Sequence, residues 1–246
     1  MRRQALATGW TFKPRDPDRV PSEDAADPSG WLPATVPGVV HLDLMAASQL
    51  DDPFVGQNEK AAQWVGERDW WYRCRFDAPE LRSGERVTLD FEGLDTFATV
   101  WINGLPAGTS DNMHVPLQID VTRELQPGEN EALILFESAL RVGRALEARY
   151  GQRAVWNGDA SRVFARKAQY HYGWDWGPVL VTAGVWQPAA LSVSPARIDD
   201  TRIDTRLDER RTGATIDIIV NVSGSASAVT VEILDPAGRR VAAGAD

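Results

Sequence analysis

A series of short segments with alternating polar and apolar residues constrains the fold of this chain most strongly. Such alternation places successive side chains on opposite faces of a strand, with one face toward water. Asn103 and Gly104 directly follow one segment, and both tolerate the positive φ angles of a two-residue hairpin turn. The clearest segments span residues 71–76, 87–91, 99–102, 117–121 and 132–136. Because no helical crossovers separate them, we predict an all-β fold, an antiparallel jelly-roll sandwich.

Two stretches show helical spacing instead. Residues 39–50 carry apolar side chains three or four positions apart. Residues 138–150 begin at Ser138, a residue type that caps helices, and are followed by Gly151, a residue type that ends them. We predict short helices here that cover the sandwich and leave its core to the strands.

The composition changes near Ser194 and Pro195. All tryptophan, tyrosine and phenylalanine residues lie before residue 193, and the remaining segment is rich in Asp, Arg, Thr and Val. Its strand candidates are 198–207, 214–223 and 229–235. These are fewer than the roughly seven strands of an immunoglobulin-like sandwich. We therefore predict a jelly-roll domain over residues 1–193 and a partial immunoglobulin-like β-sandwich domain over residues 194–246.

Charge and composition argue against several classes of partner. Lys and Arg total 26 against 35 Asp and Glu, without a basic stripe, so we expect no nucleic acid partner. No apolar run approaches the roughly 20 residues of a membrane helix, so we expect no membrane partner. Cys74 is the single cysteine and we recognise no secretory signal, which favours a cytoplasmic location. The chain has ten tryptophans, an excess that indicates recognition of a ligand by stacking against aromatic rings.

The sequence lacks the usual motifs for metals, cofactors and nucleophilic serines. His41, His114 and His171 are dispersed without a second histidine at a ligand spacing, so we expect no metal and assign all three to packing or hydrogen bonds. Neither a Gly-x-Ser-x-Gly turn nor a glycine-rich phosphate loop occurs. We therefore expect no cofactor and no serine hydrolase chemistry.

Several motifs occur in a fixed order along the chain, and the most specific of them is Trp-Asp-Trp-Gly-Pro at 174–178. The motifs lie at 36–44, 52–59, 63–72, 100–104, 111–113, 120–122 and 166–178. Together they resemble the N-terminal sugar-binding domain of the β-mannosidases of glycoside hydrolase family 2, a galactose-binding-like jelly roll, over roughly residues 8–190. Residues 195–246 are similar to the start of that family's immunoglobulin-like second domain.

The resemblance implies a retaining, exo-acting β-D-mannosidase that removes terminal mannose from β-mannosides or manno-oligosaccharides. In that family the acid/base and the nucleophile are two glutamates on a (β/α)8 barrel that follows the sandwich domains. Such a barrel needs about 250 residues, whereas 53 residues follow residue 193. We therefore predict that the catalytic carboxylates lie outside this chain, with the barrel as its partner and a β-mannoside as substrate.

The resemblance also assigns Trp174 and Asp175 to the subsite for the terminal mannose. A carboxylate accepts two hydroxyl hydrogen bonds, and an indole covers the C–H face of a sugar ring. Without the resemblance, Asp175 is more typical of a turn residue that caps backbone amides. Trp176 is a weaker candidate, whose side chain we expect to pack in the protein core. Arg166 and Lys167 are also weaker candidates. A functional role would be to orient Asp175 or to approach the pocket, but a solvated pair at a strand end is the commoner case.

Other functions remain open at this stage. The tryptophan content also fits a stand-alone carbohydrate-binding module, and a structural or interaction domain is a third alternative. Glycosidase pairs within the chain, Glu67 with Asp69 or Asp159 with Asp175, are less favoured, because chance pairs are expected among 35 acidic residues.

Overall fold

Two β-sheets form the framework of the larger of two units in the computed structural model, which describes residues 1–156, 158–225 and 228–245. This larger unit contains residues 3–79 and 87–192. The strands of the two sheets are β1 (Arg2–Ala5), β2 (Trp10–Pro14), β3 (Leu32–Pro33), β4 (Trp70–Asp77), β5 (Arg86–Phe91), β6 (Phe97–Ile102), β7 (Leu105–Ser110), β8 (Leu117–Asp120), β9 (Glu129–Glu137) and β10 (Ala189–Ser194).

One sheet has the strand order β3-β2-β4-β9-β6-β7, and the other has the order β1-β10-β5-β8. Neighbouring strands of the six-stranded sheet all run antiparallel. Asn103 and Gly104 have φ angles of 51° and 80° and join β6 to β7 as the sequence predicts. The predicted all-β antiparallel sandwich is confirmed.

The predicted alternation appears most clearly in the middle of the six-stranded sheet. On β9, Ala132, Ile134 and Phe136 are fully buried, while the residues between them are half-buried. Val100 and Ile102 of β6 extend the same buried face. Burying one such aliphatic or aromatic side chain contributes about 1.5–3 kcal/mol. This face is therefore a main source of the unit's stability.

Short helices cover the strands. The α-helices of the described residues are α1 (Pro21–Ala26), α2 (Val40–Ala46), α3 (Asn58–Ala61), α4 (Trp64–Glu67) and α5 (Ala139–Tyr150). Helix α5 confirms its prediction: the Ser138 hydroxyl accepts a first-turn backbone N–H at 3.1 Å, and Gly151 follows with φ of 88°. Helix α2 fills only the first part of the predicted range 39–50. Leu140 of α5 belongs to a buried cluster with Tyr172, so α5 supports the segment that leads to Trp-Asp-Trp-Gly-Pro.

The smaller unit contains residues 1–2, 80–86 and those from 193 onward. Its hairpins are formed by β11 (Ala196–Leu207), β12 (Ala214–Gly224), β13 (Thr230–Leu234) and β14 (Arg240–Ala245). Strand β11 pairs antiparallel with β12, and β13 pairs antiparallel with β14. The assignment of residues 1–193 to a jelly-roll domain and of residues 194–246 to an immunoglobulin-like domain stays a prediction. No helix in the described ranges is long and apolar enough to cross a membrane.

Candidate functional site

The Trp-Asp-Trp-Gly-Pro segment forms a tight turn. A 3-10 helix, Gln169–Tyr172, ends at Gly173, whose φ of 96° redirects the chain. Trp174 and Gly177 then exchange backbone hydrogen bonds, with Trp174 N 3.4 Å from Gly177 O and Gly177 N 3.3 Å from Trp174 O. Asp175 and Trp176 therefore occupy the tip of a turn.

The carboxylate of Asp175 is exposed and accepts no hydrogen bond from the described residues. The capping role that is typical of a turn aspartate is therefore not what this side chain performs. Both carboxylate oxygens are free for an external donor, which is the property that a sugar-binding carboxylate needs.

The two tryptophans of the turn differ in burial. Trp174 is half-buried, and its indole Nε1 is enclosed without a hydrogen-bond partner among the described residues. Trp176 is 81% exposed and meets Trp174 edge to face with ring centroids 5.5 Å apart. The expectation that Trp176 packs in the interior is wrong for this chain. Its indole face is instead available at the surface.

An open cavity of about 660 Å³ lies beside this turn. Its wall is mainly aromatic and apolar, with a few polar groups, a composition typical of small-molecule sites. Phe54 and Tyr170 contribute rings that are 74% and 67% exposed. The side chains that matter most for its chemistry are Phe54, Tyr170, His171, Trp174, Trp176 and Thr182.

Lys167 lies under the cavity in a fully buried ion pair with Asp95. Its three N–H groups lie within hydrogen-bond distance of four acceptors: both carboxylate oxygens, the Thr182 carbonyl at 2.9 Å and Thr182 Oγ1 at 3.0 Å. Asp95 also accepts from the hydroxyls of Thr96 and Thr182, each at 2.5 Å. Burial alone raises the pKa of Asp95, but Lys167 and the two hydroxyls outweigh it and hold that pKa below its usual value. The carboxylate is therefore ionised.

These contacts change the role of one weaker candidate. Lys167 bonds Asp95, so it neither orients Asp175 nor forms part of a solvated pair at a strand end. Arg166 is exposed and pairs with Asn112 only through the backbone. It is not among the residues that line the cavity. The structure thus brings Trp174, Asp175 and Trp176 together in one turn. Both tryptophans line the cavity, whereas Asp175 lies exposed at the tip of the turn beside it and is not one of the lining residues. Arg166 and Lys167 do not line the cavity either.

Two histidines that are far apart in the sequence lie near this ion pair. His171 lines the cavity, with Nδ1 3.1 Å from Thr182 Oγ1. His41 of α2 is buried, and its Nδ1 has no partner among the described residues. Burial lowers the pKa of each imidazole to about 4, and the charge of Lys167 adds to the effect. Both rings are neutral at pH 7. Sequence spacing gave no signal for this arrangement.

Within the larger unit, arginines hold the acid pairs considered as alternatives. Arg144 donates to Glu67 at 2.9 Å and to Asp159 at 2.6 Å. Asp69 accepts from Arg141 at 2.6 Å. Burial raises the pKa of Asp159, but its hydrogen bonds from Ser161 and Arg144 outweigh this and lower it overall, which disfavours a proton-donating role. Among the described residues no His, Cys, Asp and Glu cluster is arranged to hold a metal ion.

Comparisons with known proteins agree with this fold. The family model described as "Glycosyl hydrolase 2 galactose-binding domain-like" matches residues 10–187. The chain belongs to this family. The matched range of this galactose-binding-like domain includes the cavity, the buried ion pair and the Trp-Asp-Trp-Gly-Pro turn.

Individual relatives of the domain are longer glycosidases. Beta-mannosidase B of Aspergillus terreus is 44% identical over 246 residues, which cover 97% of this chain and 28% of that protein. The crystal structure of a β-D-mannosidase from Dictyoglomus thermophilum superposes with a TM-score of 0.76 and 33% identity, covering 100% of this chain and 29% of that one. The chain thus spans less than a third of either mannosidase. A β-glucuronidase from an uncultured Clostridium sp. has a TM-score of 0.61 at 18% identity and shares the fold alone.

Proposed function

We propose that this chain is the N-terminal part of a retaining, exo-acting β-D-mannosidase that hydrolyses terminal β-D-mannose residues. In this proposal the Trp174–Gly177 turn forms one wall of the subsite for the terminal mannose. The observation that carries the proposal is the exposed, unbonded Asp175 at the tip of that turn, beside a cavity with aromatic walls. The mannosidase names of the longer relatives supply the sugar and the reaction.

The chemistry of the turn supports binding of a terminal sugar. Two carboxylate oxygens of Asp175 accept hydrogen bonds from neighbouring hydroxyls, and each bond is strengthened by the negative charge. Trp174 and Trp176 present indole surface to the C–H face of a pyranose ring. A site that requires free hydroxyls at one end of the substrate accepts only chain ends, which makes the enzyme exo-acting.

The remaining parts of the proposal concern the whole protein. The acid/base and nucleophile belong to a (β/α)8 barrel, which this chain meets as its partner, and β-mannosides or manno-oligosaccharides are the substrates. Residues 1–193 form the jelly-roll sugar-binding domain, and residues 194–246 begin the immunoglobulin-like domain. We place the protein in the cytoplasm: Cys74 is buried, and burial raises the pKa of its thiol to about 12, which suits a thiol that stays reduced.

Replacing Asp175 in the full-length protein tests the proposal. Two charge-assisted hydrogen bonds of about 1.5–3 kcal/mol each predict that Asp175→Ala lowers kcat/KM for an aryl β-mannoside by about 10² to 10⁴-fold. The melting temperature should stay nearly unchanged, because the exposed side chain has no partner in the described structure. Asp111→Ala, at another exposed aspartate, is the matched control. An unchanged kcat/KM for Asp175→Ala removes Asp175 from the site.

A further inference from the structure

His171 places an imidazole ring in the wall of the cavity. Its imidazole is half-buried and contacts the ring of Tyr170 edge to face at 4.8 Å. Nδ1 is anchored 3.1 Å from Thr182 Oγ1. Among the described residues no group bonds Nε2, and Nε2 is not one of the buried polar atoms that lack a partner. The far nitrogen of the ring therefore keeps access to the cavity that His171 lines.

The single hydrogen of the Thr182 hydroxyl sets the direction of the bond to His171. Oγ1 lies 2.5 Å from Asp95 Oδ2, and an ionised carboxylate only accepts. Because a hydrogen bond to a carboxylate is about twice as strong as a neutral one, the hydroxyl donates to Asp95. Its oxygen is then left to accept from the Nδ1–H of His171. Lys167 Nζ, 3.0 Å away, donates to the same oxygen.

This direction places the proton of the neutral imidazole on Nδ1. Burial and the positive charge of Lys167 lower the pKa of His171 to about 4, with a smaller contribution from His114, while Asp95 opposes them. A second proton is therefore not bound at neutral pH. In the resulting tautomer Nε2 carries a lone pair and no hydrogen, so it accepts hydrogen bonds and donates none.

We propose that His171 is a substrate-binding residue whose Nε2 accepts a hydrogen bond from a hydroxyl group of the bound sugar. Thr182 and Asp95 are positioning residues that fix the tautomer of His171. The inference rests on the proposed mannoside site and adds a second acceptor to that of Asp175. Both acceptors need a free hydroxyl as donor, so the site discriminates against deoxy and O-alkylated sugars.

The tautomer is measured directly by long-range ¹H–¹⁵N correlation spectra of the chain labelled with ¹⁵N-histidine. These spectra separate protonated from unprotonated ring nitrogens, and His171→Asn assigns the signals of His171. We expect a protonated Nδ1 and a bare Nε2. Thr182→Val should release the ring to the other tautomer, and Thr182→Ser should restore the original pattern. A protonated Nε2 in the unaltered chain overturns the proposal.

Substitutions at His171 separate the acceptor from the rest of the ring. Asparagine keeps an N–H near the position of Nδ1 but lacks the acceptor, whereas glutamine carries an amide oxygen near the position of Nε2. In the full-length protein, loss of one hydrogen bond predicts that His171→Asn lowers kcat/KM for an aryl β-mannoside about tenfold. His171→Gln should recover most of this loss. His114→Asn, at an exposed histidine that does not line the cavity, is the matched control and should change nothing.

Monodeoxy aryl mannosides identify the hydroxyl and distinguish the two ways of failing. On the substrate that lacks the hydroxyl bound by His171, the His171→Asn variant and the unaltered protein should have the same kcat/KM, because the hydrogen bond is already absent. An equal penalty with every deoxy substrate overturns the role of His171 and leaves the mannosidase proposal standing. Absence of β-mannoside turnover in the unaltered protein overturns the proposed function together with this inference.

Discussion

At the scale of single residues, the buried pair of Lys167 and Asp95 is the most consequential interaction under the candidate site. Both side chains are fully enclosed, and the carboxylate also accepts two hydroxyl hydrogen bonds. Removing one partner of a buried pair leaves an uncompensated charge, which costs about 3–5 kcal/mol. The pair therefore stabilises the floor of the cavity only while both members are present.

Lys167→Met should accordingly lower the free energy of unfolding by about 3–5 kcal/mol in urea denaturation. The matched control is Lys60→Met at an exposed lysine, which should change it by less than about 0.5 kcal/mol. Adding Asp95→Asn to Lys167→Met should cost less than the sum of the two single changes, because neither charge is then left alone. Equal losses for Lys167→Met and Lys60→Met contradict this account.

The depressed pKa values of His41 and His171 predict a dependence of stability on pH. Each imidazole is neutral when folded, with a pKa of about 4, and binds a proton when unfolded below about pH 6.5. The unfolded state therefore binds more protons between these values, so the free energy of unfolding falls as the pH drops from about 6.5 toward 4. Asp43 acts oppositely, because burial raises its pKa in the folded state.

Chemical denaturation at several pH values between 5 and 6.5 measures this effect where most carboxylates are ionised in both states. The double variant His41→Gln with His171→Gln should flatten the slope of unfolding free energy against pH. The exposed Gln118→Ala variant, which removes no titratable group, is the control and should keep the slope. A slope that is the same in the double variant and the unaltered chain rules out this assignment.

Only part of the residue-scale arrangement was predictable. Trp174 and Asp175 can be proposed from the sequence because their motif is local, and their role in sugar binding stays a prediction. Asp95 and Lys167 are 72 positions apart, so no spacing rule links them. His171 was assigned to packing or hydrogen bonds, and its position on the cavity wall depends on tertiary contacts that the sequence pattern does not encode.

At the scale of elements, the tight turn depends on Gly173 at the end of the 3-10 helix. Its φ of 96° is in the left-handed region, and an added Cβ would lie 2.7 Å from Val179 Cγ2. Gly128 has a φ of 85° but no atom within 4 Å of an added Cβ. The two glycines share the same kind of backbone strain and differ in steric room.

Gly173→Ala should therefore cost more stability than Gly128→Ala. Backbone strain of about 1–3 kcal/mol applies to both, and the contact with Val179 adds to it only at position 173. Displacement of the turn should also lower kcat/KM for an aryl β-mannoside in the full-length Gly173→Ala protein, whereas full-length Gly128→Ala should keep its kcat/KM. Urea denaturation and initial-rate kinetics measure the two effects. Equal stability loss with full activity in both variants contradicts the assigned role of Gly173.

The elements that sequence patterns predicted are those with clear alternation or a helix cap. β4, β5, β6, β8 and β9 alternate, and α5 has both a cap and a terminal glycine. The pattern of β10 is weak, because the strand begins with two alanines and only its last four residues alternate. β1 has no apolar face to signal it, because all four of its residues are exposed. Helices of four residues, such as α3 and α4, are too short for a reliable period.

At the scale of the whole molecule, each unit exposes apolar side chains at its surface. Around the cavity of the larger unit, Phe54, Tyr170 and Trp176 are 74%, 67% and 81% exposed. In the smaller unit, Ile203 and Ile216 share one face of the β11–β12 hairpin and are 61% and 37% exposed. Clustered apolar exposure marks a surface that meets a partner. In the proposed enzyme the catalytic barrel covers the rim of the cavity and closes the mannose subsite.

The central claim is the sugar specificity of the protein that contains this chain, because glycosidases named for other sugars share its fold. The most direct test is kcat/KM of the full-length protein for aryl β-D-mannoside, β-D-glucoside, β-D-galactoside and β-D-glucuronide under one set of conditions. Since a site that bonds sugar hydroxyls discriminates strongly, we predict that the β-mannoside is preferred by about 10²-fold or more. Equal or faster hydrolysis of the β-glucuronide or β-galactoside contradicts the proposed function.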